Sequence, residues 1–407
     1  MPTMNFGIER TCLELVSDLC FVGSSLGCFY LSIAAIAVII FPRRQRCAPA
    51  VRHVPVTILK PLCGAESDLS VRLASFCTQS YDAPIQILCG IHDHNDPASV
   101  EVKKVVDKMH SSRVELVVDV NEHGSNRKVS NLANLLPSAQ HEILVISDSD
   151  IEVAHNYLSQ VVAHLQTPGV GAVTCLYHGA ARRGFWSRQA ALAINAHLLP
   201  SIVVALTFGM ARPCFGSTIA IRRSALAKLG GFQAFGNVLA DDYAIGVAVR
   251  ATEGAIAIPP FSVGHGCFET SLPAVLSHEL RAARTIKSIA PKGYVGTIVT
   301  HPMALAVIST LLGSGHALIL AAVALACRFV LCRCVEVTFR LPRQHYLHLP
   351  LRDLLSFAVF IMSFFGSRVT WRGVVYRLTA DGILVPSAKR ALRSAHFSGL
   401  ADSGFSS

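Results

Sequence analysis

Between residues 56 and 174 the chain alternates short β-branched runs with longer helical stretches, a pattern that few folds accept. Val56 to Leu59 reads as a strand, followed by a turn at Pro61 to Gly64 and a helix near Leu69 to Gln79. Ile85 to Ile91 and Ala98 to Met109 repeat the unit, as do Val114 to Val118 and Val129 to Leu136. Glu142 to Ile146, Tyr157 to Leu165 and Val170 to Thr174 complete the set. Strands separated by helices in this way predict a mostly parallel sheet covered on both faces. The expected architecture is a Rossmann-like α/β core over roughly residues 54–265, with ligands bound beyond the carboxyl ends of the strands.

Composition adds a second constraint. Hydrophobic residues make up 52% of the 407 positions and charged residues only 15%, and the mean hydropathy is +0.46. A soluble domain carries more charge than this. Leu19 to Phe41 has no charged residue and is long enough to cross a bilayer as a helix. A cleaved signal peptide would have basic residues ahead of its apolar region, whereas here Arg43, Arg44 and Arg46 follow it. The expectation is an uncleaved anchor with the following chain in the cytoplasm. Pro302 to Cys327 is a further uncharged stretch of spanning length. Leu354 to Gly366 is too short to cross alone. A single crossing at 302–327 would put Arg328, Arg333, Arg340 and Arg343 outside, against the positive-inside rule, and two shallow or re-entrant segments would avoid this. Ala190 to Ala211 reads as an interfacial helix broken at Pro200, or else as a buried core helix. The net charge of +10 fits basic loops facing anionic lipid, with no nucleic-acid motif visible. Thirteen scattered cysteines without zinc spacing read as small buried hydrophobes.

The chemistry-bearing residues cluster where strands end. SDSD at 147–150 follows the strand EILVI, and side chains two apart on extended chain face the same way. Asp148 and Asp150 therefore suit a divalent cation, Mg²⁺ or Mn²⁺, although a solvated acidic turn has the same sequence. HDHND at 92–96 follows another strand. Its Asp93 or Asp96 could accept hydrogen bonds from a uracil or ribose, while Asp96 also suits a helix N-cap. GSNRKVSN at 124–131 brings Arg127 and Lys128, cations that would steady a diphosphate or lie in a solvated loop. LADDYAIG at 239–246 places Asp241 and Asp242 at a helix start, where a carboxylate is favoured by the dipole and could also take a proton from a hydroxyl. The upstream CFGSTIAIRR at 214–223 reads as a strand of small residues. In HELRAARTIK at 278–287, Arg281 and Arg284 share a helical face suited to a leaving diphosphate or to lipid headgroups.

Taken in order, KPLCG at 60–64, HDHNDP, SDSD, ADDY and the RxxR helix resemble the ceramide glucosyltransferase family, of the GT-A fold. NRKVSNL, TCLYHG, RPCFGSTIA and LADDYAIG resemble its bacterial branch, which includes hopanoid-associated glycosyltransferases. The resemblance covers about residues 50–300, together with the anchor and the C-terminal apolar segments. It implies a UDP-sugar donor, a divalent cation, a membrane lipid acceptor such as a hopanoid polyol or ceramide, and inverting transfer of a hexose or N-acetylhexosamine. Asp96 matches the family's first aspartate on the nucleotide side, Asp148 the second with Asp150 as metal ligand, and Asp242 the third, the general base. Arg281 and Arg284 match the final motif, where Thr285 stands in place of the family tryptophan. His197 falls where the family has an acceptor-side histidine. The implied organisation is an anchor and basic linker at 1–50, a GT-A domain at 51–300, membrane segments at 301–370 and a tail at 371–407. A multi-pass protein of a bacterial inner membrane, with its catalytic domain cytoplasmic, follows from the same resemblance. The rival readings are a processive polysaccharide synthase, which would need more spans and a QxxRW motif, and a non-catalytic lipid-binding protein that has kept the fold.

Overall fold

The computed structural model describes residues 3–44, 52–64, 66–109, 113–182, 184–366, 368–371, 374–378 and 384–386. It opens on the long helix α1 (Thr3–Arg44). The α/β region then runs β1 (Val56–Pro61), α2 (Leu69–Cys77), β2 (Ile85–Ile91), α3 (Ala98–Met109) and β3 (Val114–Val118). It continues with α4 (Arg127–Leu135), β4 (Ile143–Ile146), β5 (Ile151–Glu152), α5 (Tyr157–Leu165), β6 (Val170–Thr174) and β7 (Leu176–Ala181). After α6 (Phe185–Ala193), a π-turn at Ile194–Leu198 and α7 (Leu199–Thr207), the chain returns to the sheet. Here lie β8 (Ile219–Arg222), α8 (Arg223–Lys228), α9 (Asp241–Thr252), β9 (Ala255–Ala257) and β10 (Ser262–Cys267). The remainder is helical through α10 (Leu272–Ile289), α11 (Pro291–Gly296), α12 (Pro302–Leu311), α13 (Ala317–Phe339) and α14 (Leu349–Met362). Three short strands, β11 (Arg368–Trp371), β12 (Val374–Leu378) and β13 (Leu384–Pro386), form an antiparallel sheet that starts at the end of the expected membrane segments and runs into the expected tail. The rest of that tail, and the linker with Arg46, lie outside the described residues.

The described strands form a seven-stranded sheet in the order β3-β2-β1-β4-β8-β6-β9. Neighbours pair in parallel except β8, which runs antiparallel to both β4 and β6. Successive residues of each strand feed opposite cores. Ile58, Ile87 and Val145 pack with α2, α3 and α5, while Leu59, Leu88, Leu144 and Ile146 pack with α4, α8 and α9. Burial on both faces explains why β1, β2 and β4 read as nearly continuous apolar runs. The mixed α/β class with a mostly parallel sheet is the one expected. A second, three-stranded sheet, β5-β10-β7, was not anticipated, because β5 has two residues and no period to detect.

Three helical expectations need correction. The apolar stretch Pro302 to Cys327 is not one helix: it breaks between α12 and α13 near Gly313, whose φ of 105° favours glycine. α13 then continues to Phe339, so Arg328 and Arg333 lie inside it rather than beyond its end. The segment around Pro200 is helical on both sides, with the π-turn set just before the proline; Pro200 has no N–H to give the Ala196 carbonyl four residues back, and Arg328 donates there instead at 2.7 Å. Among the described residues three helices are long and apolar enough to cross a membrane, Thr11–Arg43, Phe185–Thr207 and Ala317–Phe339, and a bent pair, Pro291–Thr300 with Pro302–Leu311, could make a fourth. α1 is fastened to this group by its small residues. Ser24 Oγ donates to the Pro302 carbonyl at 2.8 Å, and a Cβ on Gly27 would meet Pro302 Cβ and the Val299 carbonyl at 2.7 Å.

At the carboxyl edge of the large sheet one side chain reinforces the backbone bond from Leu62 N–H to the Gly90 carbonyl. Asn131, buried on α4, donates to the carbonyls of Gly90 at 2.8 Å and Leu62 at 3.4 Å, holding the ends of β1 and β2 together. A Cβ on Gly90 would lie 1.9 Å from Asn131 Oδ1. Gly90→Val should therefore expel the amide, take its bond from the Leu62 carbonyl, leave the Gly90 carbonyl only the Leu62 N–H at 2.8 Å, and cost about 1–3 kcal/mol. A fall of several degrees in the thermal midpoint of the detergent-solubilised chain is the expected reading, and an unchanged midpoint would refute this role for Asn131.

Candidate active site

Four segments meet beyond the ends of β1, β2 and β4. The loop 124–126 lies on the loop 236–241: a Cβ on Gly124 would be 2.3 Å from the Gly236 carbonyl, and Asn126 N–H donates to that carbonyl at 2.7 Å. The Asn126 side chain caps α4 by accepting from Val129 N–H at 3.2 Å. Its amide nitrogen donates to the Val238 carbonyl at 2.8 Å and to Asp241 Oδ1 at 3.3 Å. This cap explains why the expected helix begins at Arg127 rather than Val129. His92 bonds the Arg127 carbonyl through Nε2 at 2.9 Å, tying the HDHND turn to the same helix start.

Lys128 is thereby delivered to the carboxylates. Its Nζ lies 2.7 Å from Asp148 Oδ1 and 3.4 Å from Asp241 Oδ2. Gly216 closes the other side: its N–H donates to Asp242 Oδ2 at 2.8 Å, and its carbonyl accepts from Asp148 N–H at 3.2 Å. A Cβ there would strike Asp148 Oδ2 at 2.7 Å and Lys128 Nζ at 2.8 Å, so any side chain at 216 would have to displace both charged ends. Asp242 also accepts from Tyr243 N–H at 2.8 Å through Oδ1. Asp150 faces His265 of β10, with Oδ2 3.5 Å from Nδ1. Below them Lys60, fully buried on β1, lies over the Phe76 ring and donates to the Asp148 carbonyl.

The electrostatics follow from this crowding. Burial, then the neighbouring Asp241, pushes the Asp242 carboxyl up to about 6, against the pull of Lys128 and two backbone amides. Asp148 is raised as well, first by burial, with Lys128 opposing. For Asp150 burial acts in the same sense, but His265, Lys60 and Arg72 outweigh it and hold this carboxyl below its ordinary range. Burial opposes the charge on Lys128, yet Asp148, Asp241 and Asp242 together raise it above an ordinary lysine. Lys60 is lowered to about 8, burial outweighing the attraction of Asp150 and Asp148.

The structure thus brings together Lys128, Asp148, Asp150 and Asp242. Asp96 is adjacent but engaged otherwise: it accepts from Gly64 N–H at 2.8 and 3.1 Å and from Ala98 N–H at 2.9 Å, capping α3 and pinning the KPLCG turn. Asp93 is exposed and accepts from Asn95 N–H within its own turn at 2.9 Å. Arg284 donates to the Phe365 carbonyl at 2.9 Å, and Arg281 lies one turn earlier on α10, its carbonyl accepting from the Thr285 hydroxyl at 2.8 Å. Also on α10, His278 bonds Glu269 through Nδ1 at 2.7 Å, and its ring lies 6.1 Å from that of His265. His197 belongs to a different cluster, bonded to Asp353 at 2.9 Å and stacked on His301. Lys60, Gly216 and His265 were missed. The only signal for His265 was an imidazole between two glycines in an otherwise apolar strand.

Among the described residues no group of three His, Cys, Asp or Glu side chains is arranged to hold a metal unaided. The Asp148 and Asp150 side chains keep 34% and 29% exposure, which lets a ligand reach them. Asp150 Oδ1 is buried without a hydrogen-bond partner. Two carboxylates completed by phosphate oxygens and water are a normal site for Mg²⁺, and this donor set fits that use.

Comparison with known proteins places these features. Ceramide glucosyltransferase 1 of Caenorhabditis elegans is 24% identical over 243 residues, covering 58% of this chain and 52% of the worm protein. Ceramide glucosyltransferase of Gibberella zeae is 26% identical over 182 residues, 40% of this chain and 34% of its own length. The chain therefore spans about half, or less, of the curated relatives it matches. Among solved structures, the mannosyltransferase PcManGT from Pyrobaculum calidifontis in complex with GDP-Man and Mn²⁺ is 18% identical, with a TM-score of 0.48 over 87% of this chain and 99% of that one. The family profile described as glycosyl transferase family 21 matches residues 19–384, nearly the whole described chain, including every segment that builds the carboxylate cluster. The chain belongs to glycosyl transferase family 21, the ceramide glucosyltransferase family.

Proposed function

We propose that this protein transfers a hexose or N-acetylhexosamine from a UDP-sugar to the hydroxyl of a membrane lipid, a hopanoid polyol or a ceramide, with inversion at the anomeric carbon. The observation that carries this reading is the gathering of Asp148, Asp241 and Asp242 around Lys128 and Gly216, with Asp150 beside them, at the carboxyl edge of the sheet. The candidate membrane helices packed against the α/β region favour a lipid acceptor over a soluble one. In this scheme residues 51–300 form the catalytic unit on the cytoplasmic side of a bacterial inner membrane.

Asp148 and Asp150 would hold the divalent cation, which when bound neutralises the donor's diphosphate. Lys128 offers a further cation to the departing UDP. Arg281 and Arg284 are assigned to the same anion, which requires Arg284 to leave the Phe365 carbonyl. Asp242 accepts the proton of the lipid hydroxyl as its oxygen bonds to the anomeric carbon, and the bond from that carbon to the diphosphate breaks. The amides of Gly216 and Tyr243 fix the Asp242 carboxylate for this task. His197 is assigned to the acceptor side.

Membranes containing the protein, incubated with radiolabelled UDP-sugar and acceptor lipid, should move label into the organic-extractable fraction. Label in an insoluble polymer, or no transfer at all, would overturn the proposal. Asp242→Asn should lower transfer by about 10²–10⁴-fold while UDP still binds; wild-type turnover would remove Asp242 as the base. Because its carboxyl lies at about 6, the ionised base is lost as pH falls through that value. The rate should accordingly drop about tenfold per pH unit below about 6, and a flat profile down to pH 5 would contradict the assignment.

A further inference from the structure

Lys128 lies where a second cation would be repelled. Its ammonium is 2.7 Å from Asp148 Oδ1, the same carboxylate that the reading above gives to the metal, and 3.4 Å from Asp241 Oδ2. Only 13% of its side chain is exposed, and the Gly216 backbone closes over it. The backbone beneath it is fixed by the Asn126 cap and by the bond from His92 to Arg127, whereas the four-carbon stem can swing its charge. In the free enzyme a divalent ion on Asp148 and Asp150 would set two positive charges against this ammonium in a partly dehydrated site. A nucleoside diphosphate reverses the balance, since its negative charge gives both cations a partner.

We propose that Lys128 is the resident counter-cation of the free enzyme, and that it moves from Asp148 to the diphosphate when nucleotide and metal enter together. Metal binding is then coupled to the nucleotide: the free enzyme takes up a divalent cation weakly, and the coupling is reciprocal. This inference rests on the metal-dependent transfer proposed above.

The test is Mn²⁺ binding to the detergent-solubilised full chain, followed by electron paramagnetic resonance with and without UDP. Wild-type protein should bind Mn²⁺ at least tenfold more tightly with UDP present. Lys128→Met should bind Mn²⁺ alone about tenfold more tightly than wild type, with a smaller gain from UDP, and Lys128→Arg should keep the wild-type pattern. A Lys128→Met protein that binds Mn²⁺ alone no better than wild type overturns the inference. Should that variant fail to fold, the wild-type titration still decides: equal Mn²⁺ affinity with and without UDP overturns the inference while the transfer reading survives. Absence of Mn²⁺ binding in every form, even with UDP, overturns both.

Discussion

Carboxylates from separate loops cannot share one sheet edge unless something positive stands among them. Here that something is Lys128, and much of the surrounding architecture serves to deliver it. Asn126 caps the helix that carries it, and the same amide reaches across to Asp241. Gly216 threads a bare backbone between Asp148 and Asp242, donating to one segment and accepting from the other. Lys60 supports the Asp148 turn from within the sheet. A buried lysine under an acidic turn is costly unless its hydrogen bonds are met, and the Asp148 carbonyl and Ser147 hydroxyl meet them.

The part of the fold legible in the sequence was the part with a period. β1, β2, β4 and β6 stand where the sequence pattern placed them, because each is largely buried and reads as an apolar run, and β3, a half-exposed edge strand, was found from its β-branched residues. The acidic motifs were legible for a related reason: carboxylates directly after apolar runs have no core to enter. Tertiary partners were not legible. Nothing local says that a side chain at 216 would disturb the site, since the atoms it would displace come from residues 128 and 148. Asp96 could be read as a nucleotide contact or as a cap, and in the structure it caps α3 while also binding a turn 32 positions earlier. His197 was grouped with the acceptor by resemblance, yet its partner Asp353 lies 156 positions away on a helix of its own.

The apolar helices follow a different logic. Arg328, Asp353 and Arg352 are almost wholly buried, which would be prohibitive for isolated charges. Arg328 is satisfied three ways, by Asp353, by the Ala196 carbonyl at 2.7 Å and by the Thr300 carbonyl. Arg352 grips Glu279 of α10 with two bonds of 2.8 Å. These contacts join α13, α14 and the π-turn to α10, the helix that carries His278. Uncharged-stretch counting misjudged α13 for this reason: its Arg328 and Glu336 are buried among partners, so the helix does not end where the charges begin.

The pairing of α1 with α12 bears on how the protein is made. Ser17 and Ser309, 292 positions apart, bond each other's backbone, and Ser24 depends on a carbonyl 278 positions later. Until residues 302–311 have been synthesised, the Ser17 and Ser24 hydroxyls lack these partners. The packing of α1 therefore cannot be completed before α12 has been made.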